Sequence, residues 1–349
     1  MAIEIEQVDT TTAPEALLAE LHDHYTLVDA EVRPDDPPMP FEARKRAWRH
    51  IVNHRDIRRW VLRDDGAIVA VAVVLMDTED DLNNGFARIH VLPEKRRRGL
   101  ASLLAAPVLD ALEDGKRGSV ITDTFDNAPW EAELERLGMK KSFQSRLSRL
   151  LVADVDWDLM GAWVARASER AADYDVERVG FPIEEELLSR WCDVRMVMNT
   201  APREGLDFED YVMTPRKWRD IEAKESAKGM SLAACVAVHK PTGEWVGLSE
   251  ITFNEAQPEQ AEQGDTGVHP DHRNMGLGRW LKATTIQGLV ADHPEVERID
   301  TDNAESNDAM LSINVEMGYR EILQECAWQG DTKAIRENLR RPASAAGTV

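Results

Sequence analysis

Two stretches of this chain share one pattern, and few folds can hold that pattern twice. Val268-His269-Pro270-Asp271-His272-Arg273-Asn274-Met275-Gly276-Leu277-Gly278-Arg279 repeats the Val, Pro, Arg, Gly and small-residue positions of Val91-Leu92-Pro93-Glu94-Lys95-Arg96-Arg97-Arg98-Gly99-Leu100-Ala101, at an offset of 268 − 91 = 177. In each stretch a strand pattern ends at the valine, the proline stops pairing, and glycine lets the backbone approach a ligand at the start of an apolar helix. Free N–H groups, the positive end of the helix dipole and the nearby arginines make a diphosphate the natural guest. The GK[ST] of a P-loop is missing, and so is a third glycine at dinucleotide spacing.

The repetition continues downstream. Each loop is followed by a helix, an apolar strand and a short helix ending in Leu137-Gly138-Met139 or Met317-Gly318-Tyr319. That is an internal duplication. A chain of 349 residues has room for two domains, each with its own core. The loop, an Arg/Gln-x-x-Gly-x-Gly/Ala motif after a Val-x-Pro strand end, resembles the acyl-CoA loop of the GNAT N-acetyltransferase superfamily. It stands here as Arg273-x-x-Gly276-x-Gly278 and Arg96-x-x-Gly99-x-Ala101.

The resemblance covers nearly the whole chain as a tandem pair, similar in layout to two-domain members of the mycothiol synthase type. It implies an α/β fold of two tandem GNAT-like acyl-CoA N-acyltransferase domains. Each is expected to be a splayed mixed sheet of about six or seven strands flanked by helices, opening after Val91 or Val268. The first domain is expected over residues 1–153, degenerate but able to bind CoA, then a helical connector over 154–175, a catalytic domain over 176–338 and a disordered tail over 339–349. The resemblance also implies acetyl-CoA as co-substrate. In the second copy it would be held by Val268, Arg273, Asn274, Met275, Gly276, Leu277, Gly278 and Arg279, with Asn303 and Asn307 near the following short helix. The matching set in the first copy is Val91, Arg96, Arg97, Arg98, Gly99, Leu100 and Ala101.

Acyl transfer to an amine needs a polarised thioester, a deprotonated amine and a proton for the departing thiolate. A free alkyl amine has a pKa of about 10, so a carboxylate base helps at neutral pH. At the 177 offset Glu250 falls opposite Val73 and Asp265 opposite Arg88, so the second copy alone offers a base. Many family members place a tyrosine acid four residues before the glycine of the Leu-Gly-Phe-like ending. Here Asn314 and Leu134 stand there instead, and an amide can donate a hydrogen bond but cannot act as an acid. Between the first two helices of the second copy, the acceptor side in this family, Glu204, Asp207, Glu209 and Asp210 could steer an amine.

Forty-two Lys and Arg against 64 Asp and Glu give a net charge of −22, which repels nucleic acid and anionic membranes and attracts a small cation. Three cysteines without close spacing fit reduced thiols, and no metal-ligand spacing stands out. The start has no basic-then-apolar signal pattern and the longest apolar run, Ala67 to Met76, is too short for a bilayer, so the expected place is the cytoplasm. The expected partner is a small-molecule amine, with the protein a monomer or homodimer. A non-catalytic acyl-CoA-binding or sensing protein is the alternative.

Overall fold

The computed structural model describes residues 2–50, 52–126 and 128–341. They form two compact units whose membership does not follow the linear halves of the sequence.

The first unit is built on strands β1 (Ile3–Gln7), β2 (Arg55–Asp64), β3 (Ala67–Asp77), β4 (Asn84–Val91) and β5 (Ser119–Phe125). Helices α1 (Glu15–Val32) and α2 (Phe41–Arg49) lie between β1 and β2, and α3 (Leu100–Asp114) and α4 (Glu131–Arg136) flank β5. The second unit repeats this plan. It has β7 (Tyr174–Val179), β8 (Met230–His239), β9 (Glu244–Asn254), β10 (Gln257–Val268) and β11 (Arg298–Ala304), with α5 (Trp157–Arg170), α6 (Glu185–Arg195), α7 (Pro215–Lys228), α8 (Leu277–Asp292) and α9 (Asp308–Met317).

Each unit's set of strands is completed by one from the other half of the sequence. The strand β12 (Arg320–Asp331) pairs with β5 from Glu325↔Phe125 to Asp331↔Ser119. The strand β6 (Lys140–Leu151) pairs with β11 from Arg298↔Leu151 to Ala304↔Ser145. Counted by unit, six strands fall within the expected six or seven, while the linear division near residue 153 misses this exchange. Leu150 accordingly sits in the core beneath α8, and Cys326 and Trp328 sit in the core beneath α3. Sequence patterning left β12 and the helix after it, α10 (Thr332–Leu339), unassigned. Leu339 ends that helix rather than starting a tail, and residues 342–349 of the expected tail lie outside the described residues.

In both units the central parallel pair parts before the loop begins, earlier than the strand ends that were expected. The parallel pair β4–β5 is joined only over Asn84–Phe86, and β10–β11 only over Gln260–Gln263. In the second unit a bulge coincides with the opening. β10 shifts register against β9 between Gln263 and Thr266, an extra residue that bends the strand and increases its twist. The first unit keeps an unbroken register from Ala70↔Val91 to Leu75↔Phe86.

Trp328 is 1% exposed within the first unit's core. Trp328→Ala should therefore destabilise that unit, by about 3–5 kcal/mol, with amide exchange accelerating in β3 and α3. Acceleration confined to α8 and β9 would contradict the strand exchange.

Candidate active site

In each unit the loop between the central strand and its helix is set by the same three devices. Gly276 (φ +84°) and Gly99 (φ +76°) cap α8 and α3 in the left-handed region, preceded by Asn274 (φ +66°) and Arg97 (φ +61°). An added Cβ at either glycine would meet nothing within 4 Å, so the loop's concave side is open. The third device is an arginine clamp at the same offset of 177. Arg273 Nε donates to Val268 O at 2.9 Å, and Arg96 Nε donates to Val91 O at 3.0 Å.

That clamp corrects the expectation that these two arginines are free to meet a diphosphate. Arg273 also donates to Thr200 Oγ1 at 2.6 Å, and Arg96 is held by both oxygens of Glu31 at 2.6 and 2.5 Å. Their work is to shape the turn. The first loop is neutralised further, because Asp64, 6% exposed, accepts from Lys95 and Arg98 at 3.3 and 3.0 Å. Arg97 is exposed, and Leu100 and Leu277 begin their helices as buried core residues.

Beside the second loop lies a cleft of about 230 Å³ lined by Trp163, Arg166, Arg170, Met275, Gly276 and Arg279. Arg279 pairs with Glu316 at 2.6 Å and stacks 5.3 Å from the Trp163 ring centre. Arg166 and Arg170 are exposed and carry no partner among the described residues. The connector helix α5 thus contributes to the anion-binding side of the loop. The signal was the spacing of Trp163, Arg166 and Arg170 along one helical face, within the stretch read from the sequence only as a helical connector.

On the opposite side of the sheet, Glu250 of β9 and Asp265 of the β10 bulge meet at one guanidinium. Arg195, the last residue of α6, donates from Nη1 to Glu250 Oε2 and from Nη2 to Asp265 Oδ2, the latter at 2.6 Å. Arg195 is held between Trp218 and Trp191, 4.7 and 5.6 Å from their ring centres. Trp218 is fixed in turn by donating to Glu222 at 2.8 Å. The bulge is what brings Asp265 to this place. Gly264 leaves room for the Glu250 side chain beside it, since a Cβ there would stand 3.2 Å from Glu250 Cγ.

Burial pushes the Glu250 carboxyl above its usual range. Arg195 pulls it back and Asp265 pushes it up again, so one cation serves two carboxylates. Arg195 itself is held protonated by both. Tyr211 donates to the Arg195 carbonyl at 2.6 Å, and burial pushes its phenol up to about 12, so it keeps its proton near neutral pH. Sequence reasoning missed Arg195 because a single arginine at a helix end carries no motif.

The remaining candidates are placed as follows. Asn314, 2% exposed, accepts from Lys282 Nζ and donates to Asn303 Oδ1 at 2.5 Å, which puts it behind the cleft rather than at its surface. Asn307 caps α9, accepting from Met310 N at 3.3 Å. The four acidic loop residues are not brought together. Gly205–Glu209 belongs to the first unit, where the Asp207 backbone is held by Asn84 and Gln329, and Glu209 is exposed. Glu204 accepts from Ser306 N at 3.3 Å and Asp210 pairs with Arg203. A group of metal-ligating types with no sequence signal, Asp126, Glu131 and Cys326, is bridged by Lys141 at 3.0 Å from each carboxylate. All three cysteines are buried and free, and no helix of the described residues is long and apolar enough to cross a membrane.

A mixed sheet that splays beside a glycine-capped helix, twice in one chain, defines a tandem GNAT fold. Residues 18–139 match the family model described as "Acetyltransferase (GNAT) family". Over 95% of its length the chain is similar to a tandem GNAT protein from the clavulanic acid biosynthesis pathway, at 19% identity, TM-score 0.75 and 99% coverage of that chain. It is also similar to a GCN5-related N-acetyltransferase from Sphaerobacter thermophilus, at 13% identity and TM-score 0.65, covering 95% of this chain and 96% of that one. No curated protein matches. The family match supports an acyl-CoA-dependent N-acyltransferase.

Removing the shared cation tests the electrostatics. Arg195→Met should cost about 3–5 kcal/mol by leaving two carboxylates uncompensated. Because the carboxyls would then sit above their unfolded-state values, the deficit should shrink as pH falls and protons bind the native state. A deficit in melting temperature that stays constant from pH 8 to pH 5 would contradict this arrangement.

Proposed function

We propose that the second unit transfers an acetyl group from acetyl-CoA to a primary amine of a small cationic acceptor, directly, within a ternary complex. The observation that supports this most is the Glu250–Arg195–Asp265 group on one side of the bulged strand, with the open glycine loop at the strand's end. A base on β9 and a diphosphate site at the end of β10 are thus held by two paired strands and the helix that follows them.

Each residue has a definable task in this reading. Backbone amides across Asn274 to Arg279 meet the diphosphate at the α8 N-terminus, with Arg166, Arg170 and Arg279 offering charge to the further phosphate of CoA and Trp163 a stacking surface. The backbone of Val268 aligns the pantetheine. Two carboxylates against one guanidinium leave an excess negative charge, which attracts the acceptor as its ammonium. Asp265, the more exposed of the two, receives it, and Glu250 takes a proton directly or through water. The free amine then attacks the thioester carbonyl carbon, and the C–S bond breaks with its electron pair going to sulfur. The first unit has Val73 and Arg88 at the matching positions, with Arg88 paired to Asp123 at 2.6 Å, so its task is structural or limited to binding CoA.

Glu250→Gln should keep acetyl-CoA affinity and lower the rate about a hundredfold near neutral pH, the loss shrinking as pH rises and the amine deprotonates unaided. The acid limb of the parent's kcat/KM profile should lie above the ordinary glutamate range and vanish in this variant. A loss equal at every pH would point to damaged binding instead. Tight acetyl-CoA binding without thiol release for any of a panel of amines would favour a sensor.

The loops separate the two copies. Gly276→Asp should abolish acetyl-CoA binding in the second unit by placing a carboxylate against the diphosphate. Gly99→Asp should leave turnover within a few-fold of the parent's. The opposite pattern, in folded proteins with calorimetry as the readout, would assign catalysis to the first unit.

A further inference from the structure

A protonated lysine can only donate hydrogen bonds, so it fixes the direction of any chain of amides that starts on it. Lys282 lies on the inner face of α8, 1% exposed. Among the described residues its ammonium meets no carboxylate. It donates to Asn314 Oδ1 and stands 4.9 Å over the Tyr319 ring, the titratable side chain in contact with it. Burial alone pushes it down to about 7, so it carries a proton much of the time near neutrality.

The consequences run outward from that donor. With its oxygen turned to Lys282, Asn314 presents its N–H₂, which donates to Asn303 Oδ1 at 2.5 Å. Asn303 is then left with its own N–H₂ as the unused end of the chain. It sits in β11 beyond Thr301, the last residue paired with β10, and therefore on the stretch that borders the splay.

We propose that Lys282 is a positioning residue for acyl transfer: it orients the chain Lys282 to Asn314 to Asn303 so that the Asn303 N–H₂ donates to the sulfur released from acyl-CoA. This rests on the reading of the second unit as the acyl-CoA site. When the C–S bond breaks, the electron pair on sulfur accepts this hydrogen bond, and the sulfur takes its proton from solvent. Without a donor-only group at the buried end, either amide could turn over and present a carbonyl oxygen to the thiolate. The arrangement does the work of holding the leaving group in a unit whose Asn314 place offers no phenol.

The test compares CoA with desulfo-CoA, which lacks the thiol, by calorimetry on the full chain carrying Gly99→Asp. Near pH 7, where Lys282 still carries its proton much of the time, the parent should prefer CoA by about threefold to tenfold, the usual worth of one hydrogen bond, and the preference should fade as pH rises and Lys282 deprotonates. Lys282→Met should erase that preference while desulfo-CoA still binds. Lys282→Gln, which can still donate and is the milder change should the methionine variant not fold, should retain part of it. Equal weakening of both ligands would mean that Lys282 is merely structural, and an unchanged preference would remove it from the chain; either result overturns the proposal. Persistence of binding when Gly276→Asp is added would instead defeat the reading of the second unit as the acyl-CoA site, and the proposal with it.

Discussion

A guanidinium in a protein interior must be matched by negative charge, and a pair of carboxylates so placed must be matched by a cation. The second unit meets both demands with Arg195, Glu250 and Asp265, and much of the local architecture serves that group. The helix α6 has to end against β9, two tryptophans have to box the cation, and β10 has to gain a residue so that Asp265 arrives at the same point. The bulge that brings Asp265 to Arg195 falls where β10 parts from β11. In the second unit the placing of Asp265 and the parting of β10 from β11 thus fall at one bulge.

The two units show what happens when that insertion is missing. In the first unit β4 keeps its register against β3, hydrophobic Val73 takes the place of Glu250, and Lys95, Arg96 and Arg98 of the loop are neutralised by Glu31 and Asp64. The arginine clamp on the strand-end carbonyl nevertheless persists in both units. The turn's geometry and its chemistry are therefore separable, with Arg96 and Arg273 maintaining the first whatever becomes of the second.

The loops, their glycines and the alternation of helix and strand were legible in the sequence because they are local. Gly276 and Gly99 announce a left-handed cap, and the pattern repeats at a fixed offset. The pairing of Glu250 with Arg195 was not legible, since 55 residues separate partners that carry no motif. The Lys282–Asn314 contact was hidden for the same reason, and because a lysine on an apolar helix reads as a solvated position. The acidic loop misled for a different reason. Four carboxylates close in sequence suggest one surface, whereas the backbone of Asp207 is tied to Asn84 and Gln329 and the rest disperse. The strand exchange escaped because hydrophobic patterning showed β6 as a strand without saying which strand it would pair with, and left β12 unassigned.

That exchange changes what the two halves of the gene can do. A duplicated domain is ordinarily free to be lost once its twin suffices, but here the sheet around α8 is closed by β6 from the first half, and the sheet around α3 by β12 from the second. A deletion of either half would expose an unpaired strand edge in what remained. The chain is therefore held to its double length by folding rather than by chemistry, and the first unit would persist even if it had never bound a ligand of its own.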